Sequence, residues 1–241
     1  MWRLFLRVFT VVSLAVIAIG SGRYAIADYY YEKAKSRYDA SNLRSFEFSS
    51  ELQPFIDVVD RALTWRRSHA DALDFKADLL YRSWWLSPDG QYLDQSALLQ
   101  RAVRLHKEAL NLRRNWSYSS ARLALIYSHQ AKLGKEFDKW FLETHRLGLY
   151  ETSIAKSLMT IGLQKWSQLN KRQQDYTMDF IRVSIEQKAN SPEAMAILLD
   201  RYKKRAEICL NMPNKTPRAI AVCTKLESNA QRLRSVQLAS V

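Results

Sequence analysis

Two hydrophobic patterns divide the chain. Val8 to Gly22, VFTVVSLAVIAIGSG, runs without a charge. Beyond residue 50 apolar positions recur at intervals of three and four, the period of helices with one buried stripe. Leu73, Ala77, Leu80 and Trp84 stripe a segment from about Ala70 to Trp85. Leu98, Ala102, Leu105, Ala109 and Leu112 mark the next, and Trp116, Ala124, Tyr127 and Ala131 the one after. Ser50 with Gln53 predicts a capping box that opens a helix to about Arg67. Gly134 and Gly148 read as C-terminal caps. Ser191-Pro192-Glu193 and Thr216-Pro217 read as an N-cap residue followed by a first-turn proline. The pattern predicts roughly nine helices after the N-terminal block.

Composition agrees. Only 6 glycines and 5 prolines occur in 241 residues, too few for the tight turns of a β-sandwich or barrel. The glycines are almost all solitary, which excludes a Rossmann or phosphate-loop fingerprint. The expected class is all-α. Lysine and arginine total 37 against 24 acidic residues, a formal charge of +13, so an anionic partner is favoured: phospholipid headgroups, an acidic polysaccharide or nucleic acid. The basic residues form scattered doublets, Arg66-Arg67, Arg113-Arg114 and Lys171-Arg172, with Lys203-Lys204-Arg205, and no nucleic-acid-binding module is recognisable. No nucleic-acid partner is expected.

The uncharged block follows Arg3 and Arg7 and is short for a membrane span, at ~22 Å as a helix. Residues 4–27 reach across if Arg7 and Arg23 snorkel. A cleaved signal peptide is one reading, with Ala25-Ile26-Ala27 as a small-residue site before Asp28. The other is an uncleaved anchor with Tyr24, Tyr29, Tyr30 and Tyr31 at the interface. The helical pattern continuing through YYYEKAKSRYDA favours the anchor. The division expected is an anchor over residues 1–27, a juxtamembrane segment over 28–49 and a helical-repeat domain over 50–241. Two basic residues precede the span and four follow it closely, so charge leaves orientation open. A short basic tail held inside predicts a single-pass inner-membrane protein with its folded part in the periplasm.

Internal similarity is traceable at one offset. Ala62, Leu63, Arg66, Arg67 and Ala77 align with Ala109, Leu110, Arg113, Arg114 and Ala124. Small residues at both ends of that spacing let two antiparallel helices approach closely, with Leu80 and Tyr127 beside them. The arrangement resembles the tetratricopeptide (TPR) hairpin, lengthened by the insertion SWWLSPDGQYLDQ and with Arg67 and Arg114 where that repeat has proline. The fold expected is an N-terminal transmembrane helix followed by TPR-like antiparallel hairpins, an α-solenoid. Enlarging Ala77 or Ala124 is expected to destabilise it far more than removing His106 or Asp74.

A further unit carries Arg146-Leu147-Gly148-Leu149-Tyr150-Glu151, then Ile161-Gly162-Leu163 and Trp166 to Leu169. This resembles the helical-repeat region of VpsP-type proteins of bacterial exopolysaccharide biosynthesis, across nearly the whole chain; Leu149 replaces the usual proline. The resemblance implies a non-catalytic, membrane-anchored accessory or scaffold in polysaccharide polymerisation or export. Its partners would be membrane proteins of that machinery and an anionic glycan.

No catalytic, cofactor or metal site is expected. None of the four histidines has zinc-ligand spacing. Asp71, Asp74 and Asp78 share one helical face, which fits either a glycan-modifying enzyme or a face neutralised by Arg67 and Lys76. Trp84 and Trp85, with Asp89 and Tyr92 across the turn-forming insertion, are the candidate glycan or partner contact; the alternative is that both indoles cap the core. Cys209 and Cys223 fall in apolar stripes, Met195-Leu198-Tyr202-Ala206-Cys209 and Ala219-Cys223-Leu226-Ala230-Leu233. They form either a disulfide between the last two helices or two buried thiols. A general periplasmic scaffold for envelope assembly is the remaining functional alternative.

Overall fold

The computed structural model describes residues 2–41, 46–87, 92–129, 133–187, 191–212 and 216–224; for residues 3–5 and 92–96 it describes the backbone alone. Among the described residues the chain is all-helical: eleven α-helices, two short 3₁₀ turns and no strand. Contacts divide the chain into two units, Met1–Asn115 and Trp116–Val241, and within each unit most neighbouring helices pack on one another.

The first unit contains α1 (Trp2–Ala40), α2 (Gln53–Trp65), α3 (Ala70–Trp85) and α4 (Tyr92–Leu112). Its first helix is a single rod of 39 residues with two environments. Phe9, Val11, Val12, Leu14, Ile17 and Ile19 are exposed around its N-terminal half, which is long and apolar enough to span a membrane. About two turns further on, Ala27, Tyr31 and Ala34 form a buried stripe at helical spacing. Here α1 packs on α2, and Tyr31 and Tyr38 meet Phe75 of α3 with ring centroids 6.2 and 5.4 Å apart. The segment over 28–49, expected to be juxtamembrane, is thus helical and packed as far as Ala40.

Polar contacts fix the end of this packing nearest the exposed apolar segment. The Arg66 guanidinium lies 4.5 Å from the Tyr24 ring centroid, and His69 Nε2 lies 2.9 Å from Asp28 Oδ1. Nδ1 of His69 accepts the Ala72 N–H as the cap of α3, which leaves the ring proton on Nε2, facing Asp28. The entry to α2 differs from expectation. Ser49–Leu52 is a 3₁₀ turn, and the Glu51 carboxylate, not the Ser50–Gln53 pair, accepts the Glu47 and Phe48 N–H groups. Two residues of α4 also differ. Its buried line is Ala102, His106 and Ala109, with Leu112 at the exposed end.

The second unit contains α5 (Ser117–Ser128), α6 (Lys135–Gly148), α7 (Thr152–Gln164), α8 (Lys171–Glu186), α9 (Pro192–Arg201), α10 (Arg205–Asn211) and α11 (Pro217–Thr224). Its core is centred on Phe137 and Phe141 of α6 and Phe180 of α8, all fully buried. Ser191 and Thr216 cap α9 and α11 through their hydroxyls, as their sequences predict. Gly134 precedes α6 as its N-cap, whereas a C-terminal cap was expected. The stripe from Met195 to Cys209 is also not one helix. Lys203 adopts a left-handed conformation (φ 56°), and its N–H and that of Lys204 bond to the Asp200 and Leu199 carbonyls, a Schellman closure made without glycine. Cys209 of α10 and Cys223 of α11 are joined as a disulfide, with Cα atoms 5.8 Å apart. Leu226, Ala230 and Leu233 lie outside the described residues.

The repeat alanines Ala62, Ala77, Ala109 and Ala124 are all buried. Ala109 packs with Ala70 and Leu73 of α3. The unit boundary falls between α4 and α5, so it divides the second of the two aligned hairpins. A methyl group added at Gly162 of α7 would collide with Thr177 of α8, its Cβ included at 2.9 Å. Ala77→Leu and Gly162→Ala each overpack such a contact and are expected to cost about 1–3 kcal/mol. Gly20→Ala, which meets nothing within 4 Å, serves as the control in thermal unfolding.

Burial holds the His69 pKa below its ordinary 6.5, against the opposing pull of Asp28, with Arg66 adding to the lowering and Asp71 opposing it. The unfolded chain therefore takes up this proton at a higher pH than the folded chain does. The stabilisation from a neutral His69 is complete above pH 6.5 and is lost as pH falls through the depressed folded value. His69→Gln is expected to flatten this loss, measured as the unfolding midpoint against pH between neutrality and the onset of general acid unfolding.

Candidate functional site

The motif Arg146–Glu151 forms the end of α6 and the turn into α7. Gly148 is there for proximity: a Cβ would sit 2.8 Å from Ser117 Cβ and 3.0 Å from Ile154 Cγ2, where helices α5 and α7 converge on the end of α6. The sequence neighbours of Gly148 line a cleft of about 730 Å³ between the C-terminal half of α6 and the start of α8. Leu142, Leu149 and Tyr150 give it an apolar wall, and Tyr150 is 76% exposed.

The polar groups of the cleft are held in pairs. Arg146 donates from Nε and Nη2 to the Glu143 carboxylate at 3.2 and 2.7 Å, which holds the Glu143 carboxyl below the usual range. His145 Nε2 lies 2.9 Å from Asp179 Oδ2, its ring stacked on Tyr176 at 4.1 Å and edge-on to Phe180. Arg172 donates to the Tyr176 hydroxyl at 2.6 Å. The Arg172 guanidinium thus lies over the Tyr176 face along an open apolar wall, while Arg146 is held by Glu143. This geometry suits recognition of a ligand with flat apolar faces and negative charge.

A smaller cleft of about 300 Å³ lies beside the disulfide-bonded helices. Trp166 Nε1 donates to Glu207 Oε1 at 2.9 Å, and Lys204 Nζ to Oε2 at 2.7 Å. The lysine is the main reason the Glu207 carboxyl lies below its usual range.

In the first unit, Trp84 is half-buried against Tyr81 and Trp85, while Trp85 is 63% exposed, so only one indole contributes to the core. Asp89 lies outside the described residues and Tyr92 is described only as the first residue of α4, so half of the candidate four-residue contact falls beyond what the structure describes. The acidic face of α3 is matched from α4 instead of from its own helix. Asp71 pairs with Arg113, and Asp74 Oδ1 lies 2.8 Å from Nδ1 of fully buried His106. Asp78 lies 3.7 Å from the other ring nitrogen. Lys76 pairs across to Asp60 of α2. Among the described residues no group of three or more acidic, histidine or cysteine side chains could hold a metal ion.

No protein-family model matches the chain, and no curated protein does either.

The burial of His106 reverses one expectation. His106→Ala leaves the Asp74 carboxylate buried without its imidazole, a loss of about 3 kcal/mol. Asp175→Ala, which removes the exposed Lys171–Asp175 pair at 3.0 Å, is expected to change stability by less than about 0.5 kcal/mol. Chemical denaturation of both variants at neutral pH compares them directly.

Proposed function

We propose that this chain is a membrane-anchored, non-catalytic helical scaffold, an accessory of bacterial exopolysaccharide polymerisation or export. One observation carries the anchored-scaffold reading. The exposed apolar segment and the buried stripe Ala27–Tyr31–Ala34 belong to one unbroken helix, so the helical domain is joined to the membrane span without a flexible linker. The disulfide supports an oxidising compartment, hence a periplasmic domain on an inner-membrane anchor. The resemblance carried by Arg146–Glu151 and Ile161–Leu169 supports the polysaccharide context. The guanidiniums and tyrosines of the α6–α8 cleft suit an anionic glycan, and the helical faces suit membrane proteins of the polymerising or exporting machinery. Pairing of Asp71 with Arg113 and of Asp74 with His106 favours a structural role for the α3 acidic face over glycan-modifying chemistry.

Full-length protein from its native host is expected to sediment with membranes and to resist carbonate extraction. Its peptides should carry the Cys209–Cys223 link without prior oxidation. Capture from detergent-solubilised membranes should recover polysaccharide-synthesis or export proteins, and deletion should lower polymer yield. A soluble mature protein beginning at Asp28 would overturn the anchor. Recovery of unrelated envelope-assembly proteins alone would move the reading to a general scaffold.

A further inference from the structure

The contacts of α1 determine which end of the first unit faces the bilayer. Arg66 meets Tyr24 and His69 meets Asp28, so the α2–α3 turn lies within about one to two helical turns (~5–10 Å) of the end of the uncharged run at Gly22. Further along, Tyr38 meets Phe55 near the start of α2 and Phe75 midway along α3, so α2 runs back toward the bilayer and α3 away from it. Helix α4 returns antiparallel to α3, with Asp74 against His106 and Asp71 against Arg113. The end of α2, the start of α3 and the end of α4 therefore share the membrane-proximal end of the unit.

That end carries the repeated sequence pattern. Trp65-Arg66-Arg67 closes α2, and Leu112-Arg113-Arg114 closes α4 at the equivalent position of the internal repeat. In each triplet the first basic residue turns inward: Arg66 onto Tyr24 and Asp28, Arg113 onto Asp71. The second, Arg67 or Arg114, is exposed and pairs with no acidic side chain among the described residues. Trp65 and Leu112 are both more than two-fifths exposed beside them. Arg23 is exposed on α1 at the same level. A half-exposed indole and a leucine among unpaired arginines are the composition of a surface that lies in the headgroup layer.

We propose that the α2–α3 turn and the C-terminal end of α4 form a second membrane-contact surface, on which Arg67, Arg114 and Arg23 bind anionic phospholipid headgroups of the leaflet that α1 enters, with Trp65 and Leu112 dipping into the interface. This rests on the membrane-spanning reading of α1. The apolar rod alone would tether the domain at a point; the two arginine-bearing ends hold it down at two more.

The test uses full-length protein in vesicles of phosphatidylcholine, or of an equal mixture of phosphatidylcholine and phosphatidylglycerol. A nitroxide is placed on Ser68→Cys in the α2–α3 turn or, as the distal reference, on Ser50→Cys, both exposed sites. With Cys209 and Cys223 bonded to each other, the introduced thiol takes the label. Collision with a water-soluble nickel chelate is expected to fall severalfold at position 68 relative to position 50 in the mixed vesicles, and less in phosphatidylcholine alone. Arg67→Glu with Arg114→Glu should abolish the difference between the two lipids while the protein stays carbonate-resistant and keeps its thermal midpoint; Arg67→Gln with Arg114→Gln should give an intermediate loss. Equal accessibility at positions 68 and 50 in carbonate-resistant protein would overturn the proposal and leave the anchor intact. Equal shielding in both lipids would overturn headgroup recognition. Release of the protein by carbonate would overturn the anchor, and this inference with it.

Discussion

The stripe of Ala27, Tyr31 and Ala34 is the constraint on which the first unit depends. These residues convert a helix that is apolar all round into one with a single buried face, without a break in its backbone hydrogen bonds. Two alanines in the stripe let α2 lie close, and Tyr31 fills the space against His69 and Phe75. The orientation of α2, and through it of α3 and α4, follows from that contact. Helix α3, buried on most of its surface, then has to satisfy its acidic residues from neighbours, and α4 supplies Arg113 and His106.

The second unit is organised by close approach. Gly148 and Gly162 are both places where a side chain would strike the adjacent helix, at Ser117 and Ile154 for the first and at Thr177 for the second. The α6–α8 cleft lies beside the first of these contacts, lined by Arg146, Leu147, Leu149 and Tyr150 on either side of Gly148. The glycine contact and the lining of this cleft thus lie on one motif, Arg146–Glu151.

Much of this was legible in the sequence because it is local. The limits of α3 follow from its stripe, and Ser191-Pro192 and Thr216-Pro217 start helices for reasons contained within four residues. What escaped notice depends on distant partners or on an unusual backbone. The break between α9 and α10 lies at Lys203, and nothing in that residue type announces a left-handed conformation. His106 looks like an interruption of an amphipathic face until Asp74, thirty-two residues earlier, is seen opposite it. Gly134 could have closed one helix or opened the next, and only the fold decides. The α6–α8 cleft joins a motif seen as family likeness to Arg172 and Tyr176, which carry no signal of their own.

An unbroken α1 also has an angular consequence. In an α-helix each residue turns the next by about 100°, so the exposed apolar side chains of its first half and those facing α2 keep a fixed rotational phase. A protein packing on one side of the apolar segment would therefore meet the helical domain at a set azimuth. One residue inserted between Gly22 and Ala27 would swing that azimuth by about 100° while leaving the apolar length, the buried stripe and the composition of both halves almost untouched.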